Sequence, residues 1–262
     1  MKYFYLWWLF FISCFKKEII FKGDFFLKII SHLFWFLFSI IFFRIIYLYK
    51  SEIGGWNLYQ TLCLLSVNQI IISLYESFFA PNIRKFQNYI EDGSFDHFII
   101  KPLDLQFFVS TRFINFNPLF SLSFSILLLI YSLKNLNLSI NFMNILIFLF
   151  LLLIGVVIRY IFGFLIMTLS FYFVRINSLY ALHNEFLKYS GYPSSIYPKP
   201  AQFFFIFIIP VIVIANFPAM SLMKFCLSYK IILYSIVFVL FMFFLSRKFF
   251  YYSIKKYVSA SS

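Results

Sequence analysis

Between Phe142 and Val174 the chain runs through an apolar block broken by one charge, Arg159. At about 1.5 Å per residue, a single helix of that length reaches roughly 50 Å, against a bilayer hydrocarbon core of about 30 Å. A water-soluble fold would have to bury such a helix on every side. The block is too long for one crossing and short for two. The sequence therefore predicts a span that begins at Phe142 and ends near residues 165–172. A less apolar helix follows over roughly 173–192, with Arg175 near the turn. A turn at Arg159 is the alternative. Composition points the same way: 63% of residues are hydrophobic, only 12% are charged, and 43 are Phe. Soluble domains carry about 25% charge.

Four more segments have the length and apolarity of a span. Phe25–Tyr47 contains Lys28 and Arg44 near its ends, where long side chains reach the headgroups. It also holds His32, read as a hydrogen-bonding residue between helices. Trp56–Phe79 is more polar, with Asn57, Gln60, Asn68, Gln69, Ser73 and Glu76, residues that avoid lipid and face other helices or a cavity. Pro81 is expected to end that helix. Phe113–Leu133 and Ile231–Leu245 complete the set. The run Phe203–Phe217 is interrupted by Pro210 and ended by Pro218. At about 15 residues it is marginal for crossing and fits a re-entrant pair of short helices shielded by the rest of the bundle.

The predicted fold is thus all-α: a polytopic membrane protein with about six transmembrane helices, an N-terminal interfacial helix and a re-entrant element before the last span. The expected organisation is one transmembrane domain over 1–262. It comprises an interfacial helix (1–24), spans one and two (25–79), a cytoplasmic loop (80–112), spans three to five (113–192), an outer re-entrant region (193–230) and the last span with its tail (231–262).

Charge orients this arrangement. The net charge is +13, and the basic residues lie in the gaps between apolar runs. Nucleic acid is therefore not the expected partner, since no soluble module carries a basic stripe. With both termini cytoplasmic, the inner segments hold thirteen Lys and Arg and the outer loops five, Lys50, Lys134, Lys199, Lys224 and Lys230. The positive-inside rule favours that orientation, in a bacterial inner (cytoplasmic) membrane. The opening segment Met1–Lys17 imitates a signal peptide but lacks a small-residue cleavage site, so it is expected to stay and lie at the cytoplasmic interface.

The residues of common enzyme chemistries do not assemble in the sequence. None of the seven glycines forms a phosphate-cradling G-x-x-x-x-G-K-[ST] loop, so no ATP hydrolysis of that type is expected from this chain. Cys14, Cys63 and Cys226 are far apart, and His32, His97 and His183 are isolated, so no metal site and no catalytic residue is expected. His97 follows Asp96 directly, and neighbours in sequence do not face each other on a helix.

The most informative stretch is the long polar segment from Pro81 to Asp104. It contains four of the nine acidic residues of the chain, Glu91, Asp92, Asp96 and Asp104, among basic ones. A loop that only anchors orientation would be basic; one that docks a protein carries both signs. Ile83, Phe86 and Ile90 are spaced as one face of a short helix over Asn82–Ile90. Gly93 can end that helix in a left-handed conformation. Lys101-Pro102 imposes an extended turn before the next element.

The stretch Glu91-Asp92-Gly93-Ser94-Phe95-Asp96-His97-Phe98-Ile99-Ile100-Lys101-Pro102-Leu103 resembles the signature of a subfamily of type-2 ABC exporter permeases. Gly54-Gly55-Trp56, Tyr192-Pro193, Ile196-Tyr197-Pro198, Ile209-Pro210 and Phe217-Pro218-Ala219 are similar to that family in the same order. The resemblance implies a permease subunit that pairs with an identical or related second permease subunit in the lipid bilayer. It also implies a separate ATPase subunit, which would carry ATP and Mg, on the cytoplasmic face. The 82–104 loop would be the coupling element, with Arg84, Lys85, Glu91, Gly93, Asp96, Lys101 and Pro102 as the coupling set. Gly93 and Pro102 would set shape and the charged residues would dock. The alternative is a membrane-embedded enzyme or assembly protein acting on lipid-like substrates.

Overall fold

A computed structural model describes residues 2–20, 22–138, 141–173, 176–223 and 229–257. Arg175, Lys224 and Cys226 fall outside the described residues, as do the side chains of Lys28 and His32. The described residues are helical or irregular, with 82% helix and no strand.

The helix α1 (Lys2–Ile20) precedes α2 (Lys22–Tyr49). A turn built on two left-handed glycines, Gly54 (φ +59) and Gly55 (φ +77), leads to α3 (Leu58–Phe78). A side chain at Gly54 would meet Ser195 Oγ at 2.6 Å. The start of α3 is fixed by reciprocal caps: Gln60 N–H donates to Asn57 Oδ1 (2.9 Å) and Asn57 N–H to Gln60 Oε1 (2.8 Å). Pro81 does not end this helix. α3 stops at Phe78, and Pro81 sits in the first turn of the next helix, α4 (Ala80–Glu91), where its missing N–H costs nothing. Two short helices follow, α5 (Asp96–Ile99) and α6 (Leu105–Thr111).

The next span begins later than the apolar run suggests, as α7 (Asn117–Asn135). Residues 113–116 are held out of the helix by α4 and the end of α3. Asn82 Nδ2 donates to Phe113 O and Phe113 N–H to Asn82 Oδ1, both at 2.7 Å, and Asn115 N–H donates to Ser77 O at 2.9 Å. The 142–174 block forms α8 (Phe142–Thr168), continued by a 3-10 turn to Phe171. It passes through Arg159 unbroken, so the turn lies beyond Phe171.

The helix expected over 173–192 is short: α9 (Asn177–Lys188), extended by a 3-10 turn at Tyr189–Gly191. Length and composition do not make it a span on its own. It nevertheless runs antiparallel to α3 over most of its depth. Tyr180 Oη lies 3.0 Å from Tyr75 Oη, Ser190 Oγ donates to Asn68 Oδ1 at 2.7 Å, and Ser195 Oγ donates to Gly54 O at 2.5 Å.

The chain then forms α10 (Lys199–Phe207) and α11 (Val211–Leu222), bent by 95° at the break, and ends in α12 (Tyr229–Ile254). Near its C-terminus α12 meets Asp104 and Phe86, so Tyr229 lies at the opposite end of the bundle. Ser195 is at that same end, beside Gly54. The bent pair leaves from and returns to one end, which makes it re-entrant. Its broken backbone is sheltered as such an element requires: residues Val211–Ala219 are buried, and Asn216 accepts from Ser194 N–H (2.8 Å) and donates to Ser190 O and Tyr192 O (each 3.2 Å).

α3, α8 and α11 form the centre of the bundle. α3, α7, α8 and α12 are long and apolar enough to cross a membrane, and the described apolar stretch of α2 covers Phe36–Tyr49. Exposed Leu127, Leu153, Leu240, Phe241 and Phe244 are then lipid-facing rather than misplaced.

Candidate functional site

At the end of the bundle opposite Gly54, α4, α5 and α6 form a cap over the ends of α8 and α12. The helix foreseen at Asn82–Ile90 is α4, and its inner face is the apolar one. Ile83 and Phe86 are each 2% exposed. Phe86 packs against Phe95 (5.6 Å between ring centroids), Phe171 (5.5 Å) and Phe250 (6.0 Å). Phe95, 0% exposed, touches Phe98, Phe171 and Tyr257. Rings from the loop are thereby keyed between the end of α8 and the end of α12. Such edge-to-face and tilted contacts add about 0.5–1.5 kcal/mol per pair beyond area burial.

Gly93 has φ +67 and follows the last turn of α4, as its type and position suggest. Its N–H donates to Ile90 O (3.3 Å) and its carbonyl accepts Asp96 N–H (3.3 Å), so one left-handed residue joins α4 to α5. Asp96 is the first residue of α5 and half-buried. After Ile100 the chain turns at Lys101-Pro102, with Leu103 N–H donating to Lys101 O at 2.8 Å.

Of the charged members of the expected set, Arg84, Lys85, Glu91 and Lys101 are exposed, with different neighbours, and Asp96 is half-buried. Arg84 turns back along the bundle to an ion pair with Glu76. Lys85 Nζ lies 3.5 Å from the centroid of Phe113, and Lys101 Nζ lies 4.6 Å from that of Phe108. Burial lowers the pKa of Lys85, and the nearby charges of Lys17 and Arg112 lower it further. Glu91 accepts from Gln87 Nε2 at 2.6 Å. Exposed Ile99, Ile100 and Pro102 lie between these charges, giving an outer surface of mixed sign with an apolar centre.

Asp104 was read only as part of the acidic content of the segment, and the structure gives it a larger part. Its Oδ1 accepts Phe107 N–H at 2.9 Å, capping α6, and its Oδ2 accepts from Arg247 (2.5 Å) and Tyr251 (3.2 Å) on α12. Burial by itself would raise the carboxyl pKa. The hydrogen bonds from Arg247, Phe107 N–H and Tyr251, with the Arg247 charge, outweigh it and lower the pKa. The cap was legible as an Asp before an apolar helical run. The partner was not, because Arg247 is 143 residues away.

α1 lies along the same cap. Tyr3 packs on Phe107 (4.9 Å), Phe10 on Phe108 (5.7 Å) and Phe11 on Phe116 (5.1 Å), and Ile114 N–H donates to Cys14 Sγ at 3.4 Å. Among the described residues, no group of three or more His, Cys, Asp or Glu is placed to hold a metal ion.

The arrangement is a membrane bundle with a polar cap, packed on α8 and α12 through Phe86 and Phe95, at one end and a re-entrant pair at the other. Residues 33–261 match the family model described as ABC-2 family transporter protein. No curated protein and no solved structure matches the chain. The match begins within α2 and covers the cap helices α4–α6 and every helix from α3 to α12, and the chain belongs to the ABC-2 transporter family.

Proposed function

We propose that this chain is the permease subunit of an ATP-driven exporter, coupled to a separate ATPase subunit through residues 82–104. The observation that carries the reading is the two-sided build of the α4–α5 cap. Its outer face has exposed charges of both signs around Ile99, Ile100 and Pro102. Its inner face inserts Phe86 and Phe95 between α8 and α12. A push on the outer face is delivered to two spans through packed rings, which transmit displacement because close-packed interiors do not compress. In this reading Arg84, Lys85, Glu91, Asp96 and Lys101 dock the ATPase, while Gly93 and Pro102 hold the shape. The cap end is cytoplasmic, with both termini on that side, and α1 lies at that interface. The pathway is completed by a second permease subunit.

The test is co-purification from mild detergent followed by mass spectrometry and an ATPase assay. The wild type is expected to carry a nucleotide-binding subunit with measurable ATP hydrolysis. Asp96→Ala and Lys101→Glu are expected to insert normally and to lose the subunit at least tenfold. A variant that assembles and transports as the wild type does would sink the docking assignment.

A further inference from the structure

Along their membrane-spanning lengths α3 and α8 carry one charged residue each, Glu76 and Arg159. Tyr75 links their positions. The Arg159 guanidinium carbon lies 5.6 Å from the centroid of Tyr75, and Glu76 is the next residue along α3. Opposite lone charges on facing helices would ordinarily pair. No ion pair joins them among the described residues, because Glu76 is held by Arg84 of α4.

Arg159 is left in an uncomfortable place. It is 6% exposed, and its Nε and Nη1 have no hydrogen-bond partner. A buried guanidinium with two nitrogens lacking acceptors is destabilising. Glu76 is within electrostatic reach of it. Two arginines therefore compete for one carboxylate, and the structure shows one of the two outcomes.

The geometry around the carboxylate separates the competitors mechanically. Only Phe79 lies between the end of α3 and the start of α4, so α4 is articulated on α3 at one residue. Glu76 and Tyr75 belong to α3, and Arg84 belongs to α4. On the α9 side of Tyr75, the Tyr180 hydroxyl lies 3.0 Å from that of Tyr75. Behind Tyr75 the wall is fixed: a side chain at Gly163 of α8 would come within 2.6 Å of the Tyr75 hydroxyl. A swing of α4 about Phe79 would draw Arg84 from Glu76 while leaving Glu76 and Arg159 where they are.

We propose that Glu76 is exchanged between Arg84 and Arg159 as α4 moves, so that Arg159 is a positioning residue that holds the bundle in its second state. The proposal rests on the docking role of α4 for its meaning in transport. The charge exchange itself needs no ATPase and is tested without one.

The test is a double-variant cycle read as thermal unfolding of the purified full chain in detergent. In the wild-type background Arg159→Gln removes an unpaired charge, so the midpoint is unchanged or rises. In Arg84→Gln the carboxylate is free to pair with Arg159, and adding Arg159→Gln then lowers the midpoint by about 3 °C or more. Arg159→Lys in the Arg84→Gln background restores at least half of that loss, because a lysine can still pair with Glu76. An equal effect of Arg159→Gln in both backgrounds overturns the exchange. So does failure of Arg159→Gln alone to fold, which would mean that Arg159 is already satisfied, or failure of Arg84→Gln alone, which would mean that Arg159 cannot take Glu76. Loss of ATPase capture with the cycle intact would remove the docking reading and leave the exchange standing.

Discussion

Asp104 ties three parts of the chain together with one carboxylate: the end of the polar loop, the start of α6 and the inner end of α12. Asn caps helices as well as Asp does, so Asp104→Asn keeps the cap and removes the charge pair with Arg247. The pair is partly exposed, and its loss is expected to cost about 1 kcal/mol, read as a drop of about 2–4 °C in the unfolding midpoint at pH 7. The sign of the pH dependence follows from the lowered pKa of Asp104 in the folded state. Its contribution is complete above the unfolded value of about 3.9 and is lost as pH falls through the lower folded value. The midpoints of wild type and Asp104→Asn should therefore converge as pH falls below the lowered folded value of Asp104. A gap that persists there would assign the effect to packing rather than charge.

Secondary elements divide into those that lipid dictates and those that neighbours dictate. The long spans were legible because a bilayer leaves apolar runs no other structure to adopt. Gly93 was legible too, since a glycine after an amphipathic turn has a defined use. The late start of α7 was not, because it depends on Asn82 holding both backbone groups of Phe113, a contact across 31 residues. α9 was legible in place but not in length. Its continuation is set by Asn68 and Asn216, which satisfy the chain around Ser190–Ser194. The keying of the loop by Phe86 was visible only as helical spacing; its partners Phe171 and Phe250 come from distant parts of the chain.

Two predictions belong to this scale. Phe86→Ala removes the central ring and is expected to cost about 3 kcal/mol of local stability. Hydrogen exchange of the α4 amides should then accelerate about a hundredfold, with little change in α3; unchanged exchange would mean that α4 is held by its charges. At Gly155 a Cβ would come within 2.5 Å of Ile214 O, a backbone atom that cannot swing aside. Gly155→Ala should force α8 and α11 apart and destabilise by about 1–3 kcal/mol. A variant that unfolds at the wild-type midpoint would show that the close approach of α8 and α11 is not required.

At the scale of the whole molecule, the polar cap and the re-entrant pair occupy opposite ends of one bundle, and the chain's charge is distributed to match. The thirteen basic residues assigned to the inner side lie in or next to the cap segment or near the chain termini, whereas Lys50, Lys134, Lys199 and Lys230 lie at the opposite end. By the positive-inside rule this distribution supports the proposed orientation, in which the cap faces the cytoplasm. The decisive geometry is that of α10 and α11. A crossing pair would place Lys199 and Tyr229 on opposite faces of the membrane, and a re-entrant pair places both on the face opposite the cap. Both residues are exposed, as are Asn88 on α4 and Asn135 at the end of α7. Single cysteines at these four positions, in a chain with Cys14, Cys63 and Cys226 replaced by Ala, can be labelled with a membrane-impermeant maleimide in intact cells. Lys199→Cys, Tyr229→Cys and Asn135→Cys should react in intact cells, and Asn88→Cys only after permeabilisation. Labelling of Asn88→Cys in intact cells would invert the orientation and place the mixed-charge surface where no ATPase can reach it. Labelling of Lys199→Cys without Tyr229→Cys would convert the bent pair into a crossing and move the C-terminal helix to the other topology.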